Sequence, residues 1–186
     1  MRIDRARIAA RGIAAVGAVA GVMGLCAVGQ AGAADQDLIP KGSFSIRNSE
    51  EHGCITRVVD KKTRTATLRL QDCDPNNVEQ SWSGKKLGGD RFTLRHVKAK
   101  QCMSYSPEGA GQDTVYTLGE CTAAVEFTGE KKYDSVCFKD PDKSGGKTEQ
   151  FFLSGNPQQN GDLKRDNSAG CDNSRAARWI VSTIAA

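Results

Sequence analysis

Two histidines and a scatter of carboxylates are what acid–base or nucleophilic chemistry would have to use in this chain. His52 stands in "SEEHGC", next to Glu50 and Glu51, and an imidazole held by a carboxylate is part of a hydrolase triad. The triad also needs a nucleophile in an activated setting, and no GxSxG or comparable turn occurs. His96, in "LRHVK", reads as a solvent-facing polar residue near a strand end. Paired carboxylates for glycoside hydrolysis could be drawn from Glu50, Asp60, Asp72, Glu120 or Asp140, but nothing singles out two of them. There is no CxxC, and two histidines add little to a ligand set, so neither a metal site nor a cofactor is expected. These residues point away from an enzyme.

The elements that position them begin after an N-terminal segment of a different kind. Arg2, Arg5, Arg7 and Arg11 precede an Ala-, Gly- and Val-rich run over about residues 13–28, followed by Ala31-Gly32-Ala33. A basic start, an apolar middle and a small-residue exit read as a secretory signal over 1–34, and the alternative is a membrane anchor. Cys26 follows Leu25 rather than a small residue, which argues against a lipoprotein. The segment holds four of the 26 basic and one of the 22 acidic residues, so the remainder, 35–186, has a net charge of about +1. That leaves no electrostatic case for nucleic acid or, once the signal is cleaved, for a membrane partner. Six cysteines remain: Cys54, Cys73, Cys102, Cys121, Cys137 and Cys171. An even count in an exported domain of this size points to disulfides and an extracellular location.

Within 35–186 the chain repeats. Cys54 to Cys73 and Cys102 to Cys121 both span 19 positions, and the first pair maps on the second with a shift of 48. "FSIRN" at 44–48 maps on "FTLRH" at 92–96 with the same shift, while Trp82 and Trp179 lie 97 apart. A looser third copy runs through "DSVCFKD", "EQFFLSG" and "ARWIVS". Each unit alternates polar and apolar residues over short runs such as "ATLRLQ", with turn chemistry between them in "GKKLGGD" and "GNPQQNGD". No ten-residue stretch after residue 34 carries a helical apolar stripe. The domain is expected to be all-β, with three units that close one core together. A β-sandwich with coincidental spacing is the competing architecture.

Three units of this length, with Cys…Cys…QxW in the first ("Gln80-Ser81-Trp82"), resemble the ricin B-chain-like β-trefoil family. The resemblance covers about residues 42–182, in repeats of roughly 42–84, 91–130 and 133–182. It implies disulfides Cys54–Cys73 and Cys102–Cys121, which leaves Cys137 to Cys171. It places Trp82, Phe127 and Trp179 in the shared core. It further implies sugar sites made of an Asp two residues after the first cysteine, an aromatic two before the second, and an Asn before the QxW glutamine. Those positions hold Thr56 and Ser104, then Gln71, Gly119 and Ala169, and finally Glu79, so no unit keeps the set. A sugar site would draw on other residues, with Asp60, Glu79, Gln80, Tyr105 and Tyr116 the candidates. Competing roles are backbone bonding for Gln80 and packing for the tyrosines. The expectation is a secreted, monomeric, non-catalytic module whose partner is a glycan or an extracellular protein. Trefoils also act as protease inhibitors, and "SYSPEGAGQD" or "KDPDKSGGKTEQ", with Lys143 and Lys147, offer loops for that.

Overall fold

The computed structural model describes residues 37–106, 114–141, 150–155, 161, 163–166, 171–172 and 174–184. The expected signal segment, and Lys143 and Lys147, lie outside the described residues.

Among the described residues twelve strands follow one another: β1 (Phe44–Asn48), β2 (Cys54–Val59), β3 (Ala66–Gln71), β4 (Trp82–Gly88), β5 (Arg91–His96), β6 (Cys102–Tyr105), β7 (Tyr116–Gly119), β8 (Phe127–Lys132), β9 (Ser135–Pro141), β10 (Gln150–Gly155), β11 (Leu163–Asp166) and β12 (Trp179–Thr183). The alternation legible in the sequence becomes an alternation of burial. In β1 Phe44, Ile46 and Asn48 turn inward while Ser45 and Arg47 do not. Six strands close into a barrel: β1 pairs with β4, β4 with β5, β5 with β8, β8 with β9, β9 with β12, and β12 returns to β1. Closure leaves this ring without a free edge.

The other six strands form the hairpins β2–β3, β6–β7 and β10–β11. They meet one another, since Leu70 N–H donates to Gly161 O (2.9 Å) and Arg165 N–H to Thr114 O (2.9 Å). Thr117 Oγ1 lies 3.5 Å from Ala66 O, completing the triangle. Disulfides tie the start of the first hairpin, Cys54, to Cys73 just beyond its end, and the start of the second, Cys102, to Cys121 just beyond its end, with Cα atoms 5.0 and 4.9 Å apart. Cys137, on β9, bonds to Cys171 across a Cα separation of 6.0 Å.

Trp82, Phe127 and Trp179 each open a barrel strand and are fully buried in one core with Ile55, Met103 and Leu153. Two residues on, Gly84 and Gly129 leave space for the segment before β1. A Cβ on Gly129 would stand 2.7 Å from Leu38 Cδ1, so this glycine is there for a close approach. The indoles fix the hairpins to the barrel. Trp82 Nε1–H donates to Ile55 O (3.0 Å) and Trp179 Nε1–H to Leu153 O (2.8 Å). Replacing Trp82 by Phe keeps an aromatic ring but leaves the Ile55 carbonyl without that donor and a void where the indole was. Chemical denaturation of W82F should show a loss of about 2–3 kcal/mol, with the cooperative transition retained.

Candidate functional site

The first place to examine is the set of positions that would hold a sugar in the first repeat. A loop from Asp72 to Ser81 ends in a 3₁₀ turn, Val78–Gln80, which Asn77 caps by accepting Glu79 N–H (3.0 Å). That turn places Gln80 beneath the loop, with 1% of its surface exposed. Its Nε2 donates to Thr56 Oγ1 (2.9 Å) and Asp72 O (2.7 Å), and its Oε1 accepts from Asp74 N–H (2.9 Å). Thr56 Oγ1 in turn donates to Cys54 O (2.9 Å). Thr56 and Gln80 satisfy each other inside the protein, which is the backbone- and core-bonding role weighed against sugar binding for Gln80. In the second repeat Ser104 is buried and bonds Cys102 O (3.3 Å). Even a Cβ at Gly119 would sit 3.0 Å from Ser104 Oγ, so no ring can be held there without displacing that serine. Both frames are filled from within.

Glu79 occupies the rim of the first frame and gathers two cations and an imidazole. Its carboxylate meets Lys98 Nζ at 2.6 Å and Arg57 Nη1 at 3.1 Å, with His96 Nε2 at 3.7 Å. Partial burial alone would raise its pKa; the hydrogen bonds from Lys98 and Arg57 outweigh that and hold it below the ordinary value. Asp60 is exposed and serves its own turn by accepting from Lys62 N–H (2.7 Å) and Thr63 N–H (2.9 Å). These bonds lower its pKa. Asp60 and Glu79 bond separate sets of partners.

His96 departs from the solvent-facing role expected of it: its side chain is fully buried. Its ring stands edge-on to Trp82 at 5.3 Å. Nδ1 accepts Ala99 N–H (3.0 Å), so the neutral ring carries its proton on Nε2, which faces Glu79 O at 3.2 Å. Burial is the chief cause of a lowered pKa, against the opposing pull of Glu79. The reason for the burial is positional. On the barrel ladders Asn48 stands opposite Trp179 and His96 opposite Trp82, and a third buried polar residue, Asp140, follows Lys139, the partner of Thr128. Asn48 behaves like His96, with Nδ2–H donating to Ala176 O at 2.8 Å and Oδ1 accepting from Glu50 and Glu51 N–H.

Asp140, the third of these, has no donor when ionised and collects donors instead. Tyr105 Oη–H lies 2.6 Å from its carboxylate oxygens, Tyr116 Oη–H donates to Oδ2 at 2.9 Å, and Arg165 Nε–H to Oδ2 at 3.2 Å. Burial holds its pKa above the ordinary carboxylate value, against the lowering effects of Tyr105, Arg165 and Tyr116. Tyr116 is buried, with its hydroxyl pKa pushed well up by burial first and by Asp140 next. Tyr116 belongs to the core cluster, the packing role weighed for it against a sugar-facing one. Tyr105 is the partly exposed member, tilted at 31° to Tyr116, with the Arg165 guanidinium 5.3 Å from its ring centroid. Of the five candidates the structure brings only Tyr105 and Tyr116 together, and the group they share is Asp140. A cleft lined by Leu38, Pro40, Lys131 and Asp134 has a volume of about 190 Å³. That is below the ~300–1,000 Å³ of a formed small-molecule pocket.

With the geometry described, resemblance to known proteins can be stated. No family model matches the chain, and no curated protein matches it in sequence. Solved structures do match. The Rhizoctonia solani agglutinin is 12% identical, with a TM-score of 0.59 over 77% of this chain and 96% of its own. The Macrolepiota procera ricin B-like lectin, solved in complex with lactose, is 9% identical, with a TM-score of 0.57 over 77% and 97%. ThreeFoil, a designed threefold-symmetric protein, is 10% identical, with a TM-score of 0.59 over 77% and 99%. These likenesses show the fold: an all-β, β-trefoil-like body with a six-stranded barrel.

The buried neutral imidazole generates a pH prediction. Because burial holds the folded pKa of His96 below the ordinary imidazole value of about 6.5, the unfolded chain binds the extra proton first. Its contribution is complete above pH 6.5 and is lost as pH falls below it. Unfolding free energy measured by denaturant titration should therefore decline between pH 6.5 and 5, by at most about 1.4 kcal/mol per pH unit. In H96N, which places at this position the residue found at Asn48, that part of the slope should vanish.

Proposed function

We propose that this protein is an exported, non-catalytic binding module of the ricin B-like β-trefoil kind, with residues 1–34 as its signal peptide, and that its ligand is carbohydrate. The observation that carries the reading is the match to lectins over nearly their whole length. Their shared frame is here held rigid by a closed barrel and crosslinked hairpins. Disulfides fit an oxidising, extracellular location. The chemistry supports binding over turnover. The buried carboxylate Asp140 and the buried imidazole His96 are both committed to internal partners, and a general acid or base needs a free path to its substrate. A net charge of about +1 for residues 35–186 gives nucleic acid no purchase.

The first and second frames are closed from within, so on this reading the sugar is taken outside those two positions. That same closure favours a second reading, a protein-binding or protease-inhibiting trefoil in which the loops beyond the hairpins contact the partner.

A printed array of neutral and acidic glycans, probed with the secreted chain, separates the two. Selective binding is the expected result. It should leave tryptophan emission unchanged within error, because both indoles are buried and hydrogen-bonded inside the core. A chain that binds no glycan but inhibits a trypsin-like protease would transfer the assignment to the second reading.

A further inference from the structure

The turn between β8 and β9 is built from an unsuitable residue. Lys132 pairs with Ser135, so Tyr133 and Asp134 make a two-residue hairpin connection. Such turns need positive φ and favour Gly, Asn or Asp there. The turn between β4 and β5, which joins the corresponding strands one repeat earlier, has Gly89 at φ 60° as the first of its two connecting residues. Tyr133 adopts φ 55° instead, a backbone conformation that opposes a bulky side chain. The ring gains little burial in return. It is 73% exposed, the most exposed large hydrophobic side chain among the described residues.

What surrounds the ring is organised. The Arg178 guanidinium sits 5.1 Å from the ring centroid. It is held there because Nε donates to Cys171 O (2.8 Å) and Nη2 to Asp172 O (3.3 Å). Cys171 is tied to β9 by its bond to Cys137, which fixes the backbone that Arg178 grips. Lys132, next to Tyr133, forms an ion pair with the exposed Asp172 carboxylate. The exposed ring thus has a guanidinium over it, and Lys132, its neighbour in sequence, holds the Asp172 carboxylate. An aromatic face covers the apolar C–H patch of a pyranose, and the charged groups bond its hydroxyls.

We propose that Tyr133, with Asp172, Lys132 and Arg178, forms a carbohydrate-binding platform at the β8–β9 turn, taking a pyranose whose C–H face lies on the Tyr133 ring. The platform lies apart from the closed frames of the first and second repeats and accounts for a tyrosine kept where glycine would fit better. It rests on the carbohydrate reading of the protein and locates it.

The test compares wild type, Y133F and Y133G on the same glycan array, with calorimetric titration of the tightest-binding glycan. Y133F should bind within ~3-fold of wild type, because the ring is kept. Y133G should lose at least ~10-fold in affinity, while its melting temperature holds or rises by a few degrees as the backbone strain is relieved. A wild type that binds glycans and a Y133G that binds them equally would overturn the platform and leave the carbohydrate reading standing. A wild type that binds no glycan would overturn both. Loss of binding in Y133G accompanied by a lower melting temperature would make the ring a structural prop and also overturn the platform.

Discussion

An indole N–H placed where water cannot reach must find an acceptor, and here it finds the second strand of its own repeat. Trp82 reaches Ile55 and Trp179 reaches Leu153, so in the first and third repeats a barrel strand is joined to its hairpin by one buried hydrogen bond. The second repeat has Phe127 in the corresponding place and no indole to donate. There the backbone supplies the bond, with Val125 N–H donating to Met103 O at 2.9 Å. The carbonyl demands a partner in all three repeats, and the chain meets the demand with two different chemistries. This constraint holds the hairpins over the barrel.

Beside the aromatic layer runs a layer of buried polar residues whose identities differ from repeat to repeat. Asn48 and His96 satisfy nearby backbone groups, whereas Asp140 draws in two tyrosine hydroxyls and an arginine. The Asp140 group spans β6, β7, β9 and β11 and so binds the second repeat to the third. A backbone frame with near-threefold repetition is thereby given three distinct interiors. The Thr56–Gln80 contact is a further instance of buried side chains satisfying one another within a single repeat.

Much of the frame was legible because it is written in large, infrequent residues. The two tryptophans and the evenly spaced cysteines report a period directly, and the alternation in "FSIRN" and "FTLRH" reports strands. The polar layer was harder to read. His96 ends a strand in a polar context, and its burial follows from the tertiary partner Trp82 rather than from its neighbours in sequence. A signal was available: Asn48 and His96 are separated by the repeat length, so two polar residues hold one structural position. Asp140 escaped the same comparison because the second repeat is shorter; Phe127 follows Trp82 by 45 positions rather than 48. Tyr133 escaped for a different reason. Turn chemistry is recognised by glycine and asparagine, and a tyrosine with positive φ leaves no mark in composition.

The pairing of β1 with β12 has a geometric consequence for how such a body can be used. Phe44 lies opposite Thr183, so the first strand and the last are hydrogen-bonded neighbours in the barrel. First and last strands held side by side are the arrangement that lets a fold be spliced into a loop of another polypeptide with little distortion of host or guest.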